Sequence, residues 1–465
     1  MKRDLGELQS RTHDLAIIGG GVIGAAIARD AARRGLLVAL IERHDFASAA
    51  SEAMSHTIHG GIRYLAQGKF SLVREGLSER EIWLRTAPDF VAEQPFILPL
   101  YGGLAAFKLK AGVSLYQAIA GRKPRFFSAR DAIQREPVLA SDGLAGAAVY
   151  DDARIDDPAA LVIAMLKDAA RHGGMIANHL EAAHLGPGTG GTMRLRARDM
   201  LSGSVLTIGA NQVVNATGPW AQKVASALLP GQRLAQVTAS KGIHMVTPAL
   251  TNGYAIALSG KREHGFVLPW MGMSLVGTTD DVFLGDAESA RPAEGEVDAL
   301  AAKISRLLPH AAAAMSNLTA SYAGVRALPG HAGDTYLASR ETAFCDHGTD
   351  GLAGFHSVFG GKWTTARLIA RKFVDCLAPR FTKTLRLCDT AEAEIQKPPQ
   401  IENLAARLAQ AAQEDMAVTS GDFGRRLGRH ALIADPQLNL RLNAWLASNG
   451  FRPDTDPGQP IGGRA

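Results

Sequence analysis

A glycine turn set between two short apolar runs constrains this chain more than any other feature. Leu15 to Ile18 has the length and composition of a buried parallel strand. It runs directly into Gly19-Gly20-Gly21-Val22-Ile23-Gly24, and a helix-forming stretch carries the chain on to a second apolar run that closes on Glu42. In a strand-turn-helix-strand unit of this kind each glycine has its own task. Gly19 makes the tight turn, Gly21 lets a pyrophosphate approach the backbone at a helix N-terminus, and Gly24 lets helix and strand pack closely. Glu42 stands 18 residues beyond Gly24, about where an acid accepts hydrogen bonds from a ribose hydroxyl. The pattern predicts a dinucleotide site.

The motif does not separate FAD from a nicotinamide, since both use the same unit. Two later regions do. One lies just after Glu42, from Ser48-Ala49-Ala50-Ser51 through Ser55-His56-Thr57-Ile58-His59-Gly60-Gly61-Ile62-Arg63-Tyr64-Leu65. The other is a strand candidate from Leu352 to Phe359, followed by Gly360-Gly361 and a helix expected over Trp363 to Cys376 with Thr364 and Thr365 near its start. A helix N-terminus there suits the pyrimidine end of a flavin, where negative charge accumulates on reduction.

The segment Ile58-His59-Gly60-Gly61-Ile62-Arg63-Tyr64-Leu65 resembles the IHGGLRYL segment of the flavin-dependent glycerol-3-phosphate dehydrogenases. The likeness continues through Phe70 to Glu81 and Ala87-Pro88, then Asn215-Ala216-Thr217-Gly218-Pro219-Trp220 and Lys241-Gly242-Ile243-His244. It goes on through Pro269-Trp270, Gly277-Thr278-Thr279-Asp280 and Tyr322-Ala323-Gly324-Val325-Arg326, ending at Ser357 to Thr365; the blocks are collinear over about residues 14 to 376. The resemblance implies an α/β chain with a Rossmann-like FAD-binding domain of the glutathione-reductase/D-amino-acid-oxidase type. An interleaved mixed, largely antiparallel substrate sheet and a short C-terminal helical region complete it. The expected division is FAD-binding segments at 12–100, 151–220 and 341–397, a cap at 101–150 and a substrate domain at 221–340. Helices over 398–450 and a flexible tail over 451–465 follow. Expected FAD contacts are Gly19, Gly21, Gly24, Glu42, Ser51, Ser55, His59, Gly60, Gly61, Thr217, Gly218, Gly360, Gly361, Lys362, Trp363 and Thr364.

An alcohol oxidised beside a flavin needs an anchor, a base and a hydride acceptor. The acceptor is flavin N5. Arg63, Arg326 and Lys362 each sit inside a matched block and Arg340 lies in a family-like TYLASRET segment. Together they suit a dianionic phosphate, with Tyr64 as a further donor. His59 and His244 are the candidate bases. The resemblance implies oxidation of sn-glycerol 3-phosphate to dihydroxyacetone phosphate with electrons passed to a membrane quinone. An oxidase or a dehydrogenase of another hydroxy or amino acid stays open, as does a non-catalytic or nucleic-acid-associated flavoprotein. Against the last stands the lack of any dense basic run; the net charge is only +5 over 465 residues.

No run is long enough to span a membrane, the first residues lack a signal's apolar core, and three unpaired-looking cysteines suit a cytoplasmic chain without a metal site. Residues 104–127 interleave Lys108, Lys110, Arg122, Lys123 and Arg125 with Phe107, Leu115, Phe126 and Phe127, either an amphipathic contact with an anionic membrane face or a solvated helix. Oligomeric state is open. Phe70 to Arg85 reads as a scaffold helix with Phe70, Val73, Leu77 and Leu84 on one stripe and a Glu81–Arg85 pair. Met193 to Arg198 alternates as a sheet with one wet face, and strand-like runs recur at 243–247, 265–268 and 274–278. Three departures from the family pattern, Glu52, Met54 and His56, fall where small hydroxyl residues and a lysine are usual; they weaken the expected flavin contacts there.

Overall fold

The computed structural model describes residues 1–230, 237–259, 264–330, 342–399 and 401–451. Two sheets organise the chain. The first runs Thr342–Asp346, Phe355–Gly360, Val205–Asn215, Thr12–Ile18, Val38–Ile41, Met175–Ala177. Its central pairs are parallel, Ile17 standing opposite both Leu40 and Val214. Parallel strands are covered on both faces, which is why Val38–Ile41 is buried at every position. On one face Val22–Arg33 packs between Pro158–Arg171 and Ala366–Leu377. The hairpin strands Leu180–Pro187 and Met193–Asp199 extend the N-terminal half of Val205–Asn215. There Met193, Leu195 and Ala197 are buried while Arg194, Arg196 and Arg198 face solvent, the alternation expected from the sequence.

The second sheet runs Asp281–Val282, Val237–Pro248, Met273–Gly277, His264–Trp270, Ala255–Ser259, Val91–Tyr101, Leu144–Ile155, Thr57–Ile58, with Ala320–Pro329 also paired to Val237–Pro248. Among the described pairs on this path only Ala255–Ser259 with Val91–Tyr101 is parallel. One face packs on Glu294–Leu307 through Leu300 and Ile304; the other holds Val73, Leu77, Val113 and Tyr116 from helices Phe70–Thr86 and Gly103–Ile119. Val91–Tyr101 carries the chain into this sheet across the boundary expected at residue 100.

Two local expectations for the helix at 70–86 fail. Phe70 is exposed, because the helix rests on Val73 and Leu77 and its first residue overhangs that contact. Glu81 does not pair with Arg85: it accepts from Arg80 and Arg122, while Arg85 donates to the Ala391 carbonyl.

The C-terminal helices Leu404–Glu414, Ser420–Leu427, Arg429–Ala434 and Pro436–Ser448 share a small core of Leu408, Phe423, Leu442 and Leu446. They lock onto the loop after Glu42. Arg426 contacts Asp45 at 2.6 Å and Arg425 reaches both Asp45 and Glu52, at 3.4 and 3.2 Å. Arg429 also pairs with Glu52, and His179 with Asp422 at 2.9 Å. Burial pushes the Asp45 carboxyl up, but Arg426 and then Arg425 outweigh it and hold it at about 2. Breaking one member of such a buried set strands a charge, at roughly 3–5 kcal/mol. Glu52, anomalous in the sequence, is thus an anchor for the C-terminal helices.

Candidate active site

A cavity of about 1720 Å³ opens between the two sheets. At one end the glycine turn behaves as its spacing predicts. Gly19 has φ of 112°, and a Cβ on Gly24 would collide with the Gly19 carbonyl oxygen, so this helix can sit on this strand only without a side chain there. Gly21 lines the cavity. Ser51 accepts from the Val22 amide at 2.9 Å, capping the helix start. The Glu42 carboxylate, at the strand end, accepts from the Gly20 and His44 amides at 2.6 and 2.9 Å. A bare backbone wall, a helix N-terminus and an acid at the end of the second strand are the donor and acceptor set that a dinucleotide requires, so FAD fits these residues.

The second flavin region meets the first across 300 residues of sequence. Gly360 and Gly361 both have positive φ, 76° and 91°, and the chain turns through Trp363–Thr365 as one 3₁₀ turn before the α-helix Ala366–Leu377 begins. Trp363 Nε1 donates to the Ser51 carbonyl at 2.8 Å, and the His59 amide donates to Thr364 Oγ1 at 3.1 Å. Thr217, Gly218, Gly61 and Lys362 also line the cavity.

The substrate end is built by cross-strand pairs. In the antiparallel ladder between Val237–Pro248 and Ala320–Pro329, Ser240 faces Arg326 and His244 faces Tyr322; directly opposed residues share a face. On that face Gly242 leaves room that a Cβ would take from the Arg326 guanidinium, and Gly324 does the same for the Ala53 carbonyl. Arg326 donates to Thr278 Oγ1 at 3.0 Å and Ser240 Oγ at 3.3 Å, and stands 3.5 Å from Asp280. His244 is 1% exposed, stacks on Tyr322 with ring centres 4.9 Å apart, and shares a 2.9 Å hydrogen bond through Nε2 with Ser55 Oγ. Its Nδ1 has no hydrogen-bond partner among the described residues. Burial above all, then the charges of Arg326 and His56, push its pKa well below the usual imidazole value, so the ring is neutral.

The cavity thus brings together Arg63, His59, His244, Arg326 and Lys362. Three expected contacts lie elsewhere. Tyr64 packs in the core behind the wall, with the Lys362 ammonium 5.0 Å from its ring centre, because Leu77 and Tyr116 offer it a buried face. Gly60 is set back against Leu77 and Tyr116, donating its amide to the Tyr116 hydroxyl and Asp152. Gly24 serves packing alone. Arg340 lies outside the described residues. Sequence reasoning missed Asp152, which lines the cavity while accepting from Tyr116 at 2.6 Å and Arg80 at 3.3 Å; burial raises its pKa. It also missed the partners of Arg326, although Thr278 and Asp280 stood in a matched block.

His56, the departure beside Ser55, is buried, donates through Nδ1–H to the Ile155 carbonyl at 2.9 Å and lies 4.8 Å from the Trp270 ring; burial pulls its pKa down to about 4. Cys345, His347 and Asp350 come within 4.8 Å of one another, but both His347 ring nitrogens are engaged, by Asp350 and Ser357. Towards solvent the cavity is flanked by Leu65, Lys108, Leu109 and Leu115. The last three belong to helix Gly103–Ile119, whose outer face exposes Leu104 and Phe107, each at 69%. No helix among the described residues is long and apolar enough to cross a membrane.

Residues 14–375 match the family of FAD dependent oxidoreductases. Among individual relatives, a glycerol-3-phosphate dehydrogenase from Synechocystis is 32% identical over 92% of this chain and 79% of its own length. An alpha-glycerophosphate oxidase from Streptococcus pneumoniae is 34% identical over 74% of this chain, which spans 59% of the oxidase. Of solved structures, a glycerol-3-phosphate dehydrogenase from Bacillus halodurans complexed with FAD superposes with a TM-score of 0.68 at 24% identity, over 96% of this chain and 82% of that one. It shares the fold.

Proposed function

Because this chain belongs to the FAD-dependent oxidoreductases of the glycerol-3-phosphate dehydrogenase family, we propose that it oxidises the secondary alcohol of sn-glycerol 3-phosphate to dihydroxyacetone phosphate. The observation that carries this reading is that Arg63, Arg326 and Lys362 line the same cavity as a buried neutral imidazole. Three cations recognise a phosphate dianion by charge and by forked hydrogen bonding. In this reading Arg63, Arg326 and Lys362 hold the phosphate and His244 takes the hydroxyl proton as the carbon-bound hydrogen leaves with its electron pair. FAD, when bound, supplies the two-electron acceptor. His59, whose amide is tied to Thr364, borders the flavin site and tunes it. The burial that keeps His244 neutral leaves a ring lone pair free at neutral pH, at the cost of its basicity.

The finer question is where the electrons go. The exposed Leu104 and Phe107 beside Lys108 and Lys110 support a peripheral contact with an anionic membrane face, and hence a quinone acceptor; the likeness to oxidases keeps oxygen as the second reading. Anaerobic mixing of the yellow holoenzyme with a panel of phosphorylated polyols tests the substrate: bleaching is expected with sn-glycerol 3-phosphate and not with its enantiomer. Turnover with a short-chain quinone under argon, without peroxide formation in air, supports the quinone reading; peroxide formed at the rate of substrate loss supports oxygen.

A further inference from the structure

Ser55 lies in the loop that follows Glu42, and its hydroxyl does something the loop's cofactor role does not require. It meets Nε2 of His244, on a strand of the other sheet, at 2.9 Å. The strands of its own sheet shape the rest of its surroundings. Tyr322 stacks on it, and the Tyr322 hydroxyl in turn donates to the Met54 carbonyl at 2.7 Å. On the opposing strand Gly277 leaves the space that a Cβ would fill 2.6 Å from His244 Cδ2. The remaining ring nitrogen, Nδ1, is buried without a partner. Two tautomers satisfy the Ser55 contact. If Nε2 accepted from the hydroxyl, Nδ1 would carry a buried, unpaired N–H, the rarer and costlier kind of orphan. If Nε2–H donates to Ser55 Oγ, Nδ1 keeps only a lone pair, which is the form a base needs, and the serine hydrogen is left for another acceptor.

We propose that Ser55 is a positioning residue for the reaction: by accepting from Nε2–H it fixes the tautomer of His244 and leaves the Nδ1 lone pair, which has no exposed surface before substrate binds, to take the substrate hydroxyl proton when substrate binding opens the wall around it. This rests on the reading of His244 as the base. The proton passes from substrate oxygen to Nδ1, giving an imidazolium whose second N–H stays bound to Ser55 Oγ, so the same hydrogen bond persists and strengthens as the ring becomes charged. The charged and titratable groups acting on the ring are Arg326 and His56, with the Tyr322 hydroxyl on the stacked neighbour. Burial and the Arg326 charge disfavour imidazolium, which makes the serine contact the more necessary.

The test is anaerobic stopped-flow reduction of the FAD-loaded enzyme by sn-glycerol 3-phosphate in Ser55→Ala, Ser55→Thr, His244→Gln and Ser55→Ala/His244→Gln. Loss of one such hydrogen bond corresponds to about tenfold in rate. The expected result is a limiting reduction rate about tenfold lower in Ser55→Ala with substrate Kd unchanged, recovery in Ser55→Thr, and a double variant no slower than His244→Gln alone. FAD Kd, measured by fluorescence on each apoprotein, is expected to stay within about twofold of the parent. A Ser55→Ala enzyme as fast as wild type, or one whose loss tracks weakened FAD binding, or additive effects in the double variant, would overturn the positioning role while leaving the base reading intact. A His244→Gln enzyme as fast as wild type would instead overturn the base reading and this inference with it.

Discussion

The two ends of the cavity are built on opposite principles. At the nucleotide end the wall is backbone: Gly19 and Gly21 come from one turn that Gly24 lets pack closely, and the nearby Ser51 and Glu42 brace it through main-chain amides. At the substrate end the wall is side chain, with Arg63, His244, Arg326 and Lys362 arriving from four separate stretches, His244 held by Ser55 and Arg326 by Ser240, Thr278 and Asp280. The first design is local and serves any chemistry that uses the cofactor. The second depends in part on strand register and, in the proposed reading, selects a phosphorylated alcohol. A generic site tolerates change in what lies opposite it; a register-built pair does not, because a slip of one strand separates His244 and Arg326 from their partners across the ladder.

The contrast is most easily broken at the turn. Gly24→Val puts a branched side chain where the Gly19 carbonyl already stands, and the expected outcome is protein that neither retains FAD nor shows cooperative unfolding, checked by absorbance at the flavin band and by circular dichroism. At the other end the failure is selective. Arg326→Ala should leave FAD content unchanged and lower kcat/KM for sn-glycerol 3-phosphate by about 2–5 kcal/mol, mostly through KM. Arg326→Lys should recover only part, since an ammonium cannot reproduce the two-pronged contact with Thr278 and Ser240.

Between the two ends, His56 gives the structure a titration of its own. Its folded-state pKa of about 4 lies below the unfolded value near 6.5. The unfolded chain therefore binds the proton first as pH falls. Stability from keeping this ring neutral is fully present above about pH 6.5 and is lost progressively down to about pH 4, to a limit on the order of 3 kcal/mol. Urea unfolding at pH 7 and 4.5 should show that loss, and His56→Gln should shrink it; a pH dependence unchanged by the substitution would mean His56 has the same pKa folded and unfolded. The smallest effect is expected at the mouth. Lys108→Gln/Lys110→Gln should weaken sedimentation with anionic vesicles by about 1 kcal/mol per lysine and leave dye-linked turnover as it is. Equal sedimentation of parent and variant would remove the membrane from the account.

How legible each end was follows from the same contrast. Gly19 to Glu42 is readable because turn, helix and acid are fixed by neighbours in sequence, and the alternation at Met193–Asp199 is readable for the same reason. The anchors at Arg63, Arg326 and Lys362 were visible as types, yet their partners were not. Ser240 meets Arg326 only through the antiparallel register of two strands more than 80 residues apart, and no local pattern encodes that pairing. Tyr64 and Gly60 were misassigned because a residue next to a wall-former in sequence need not share its direction. Tyr116, on a distant helix, pulls both into the core. Glu52 looked like a defect in the cofactor loop because its partners Arg425 and Arg429 lie more than 370 residues away.

The most direct test of a substrate end built for a phosphate is anaerobic stopped-flow reduction of the FAD enzyme by sn-glycerol 3-phosphate and by glycerol, its uncharged control. The account predicts saturable bleaching by the phosphate and only slow, unsaturated reduction by glycerol, with the difference largely erased in Arg326→Ala. Equal affinities and rates for the two alcohols in the wild-type enzyme would contradict it.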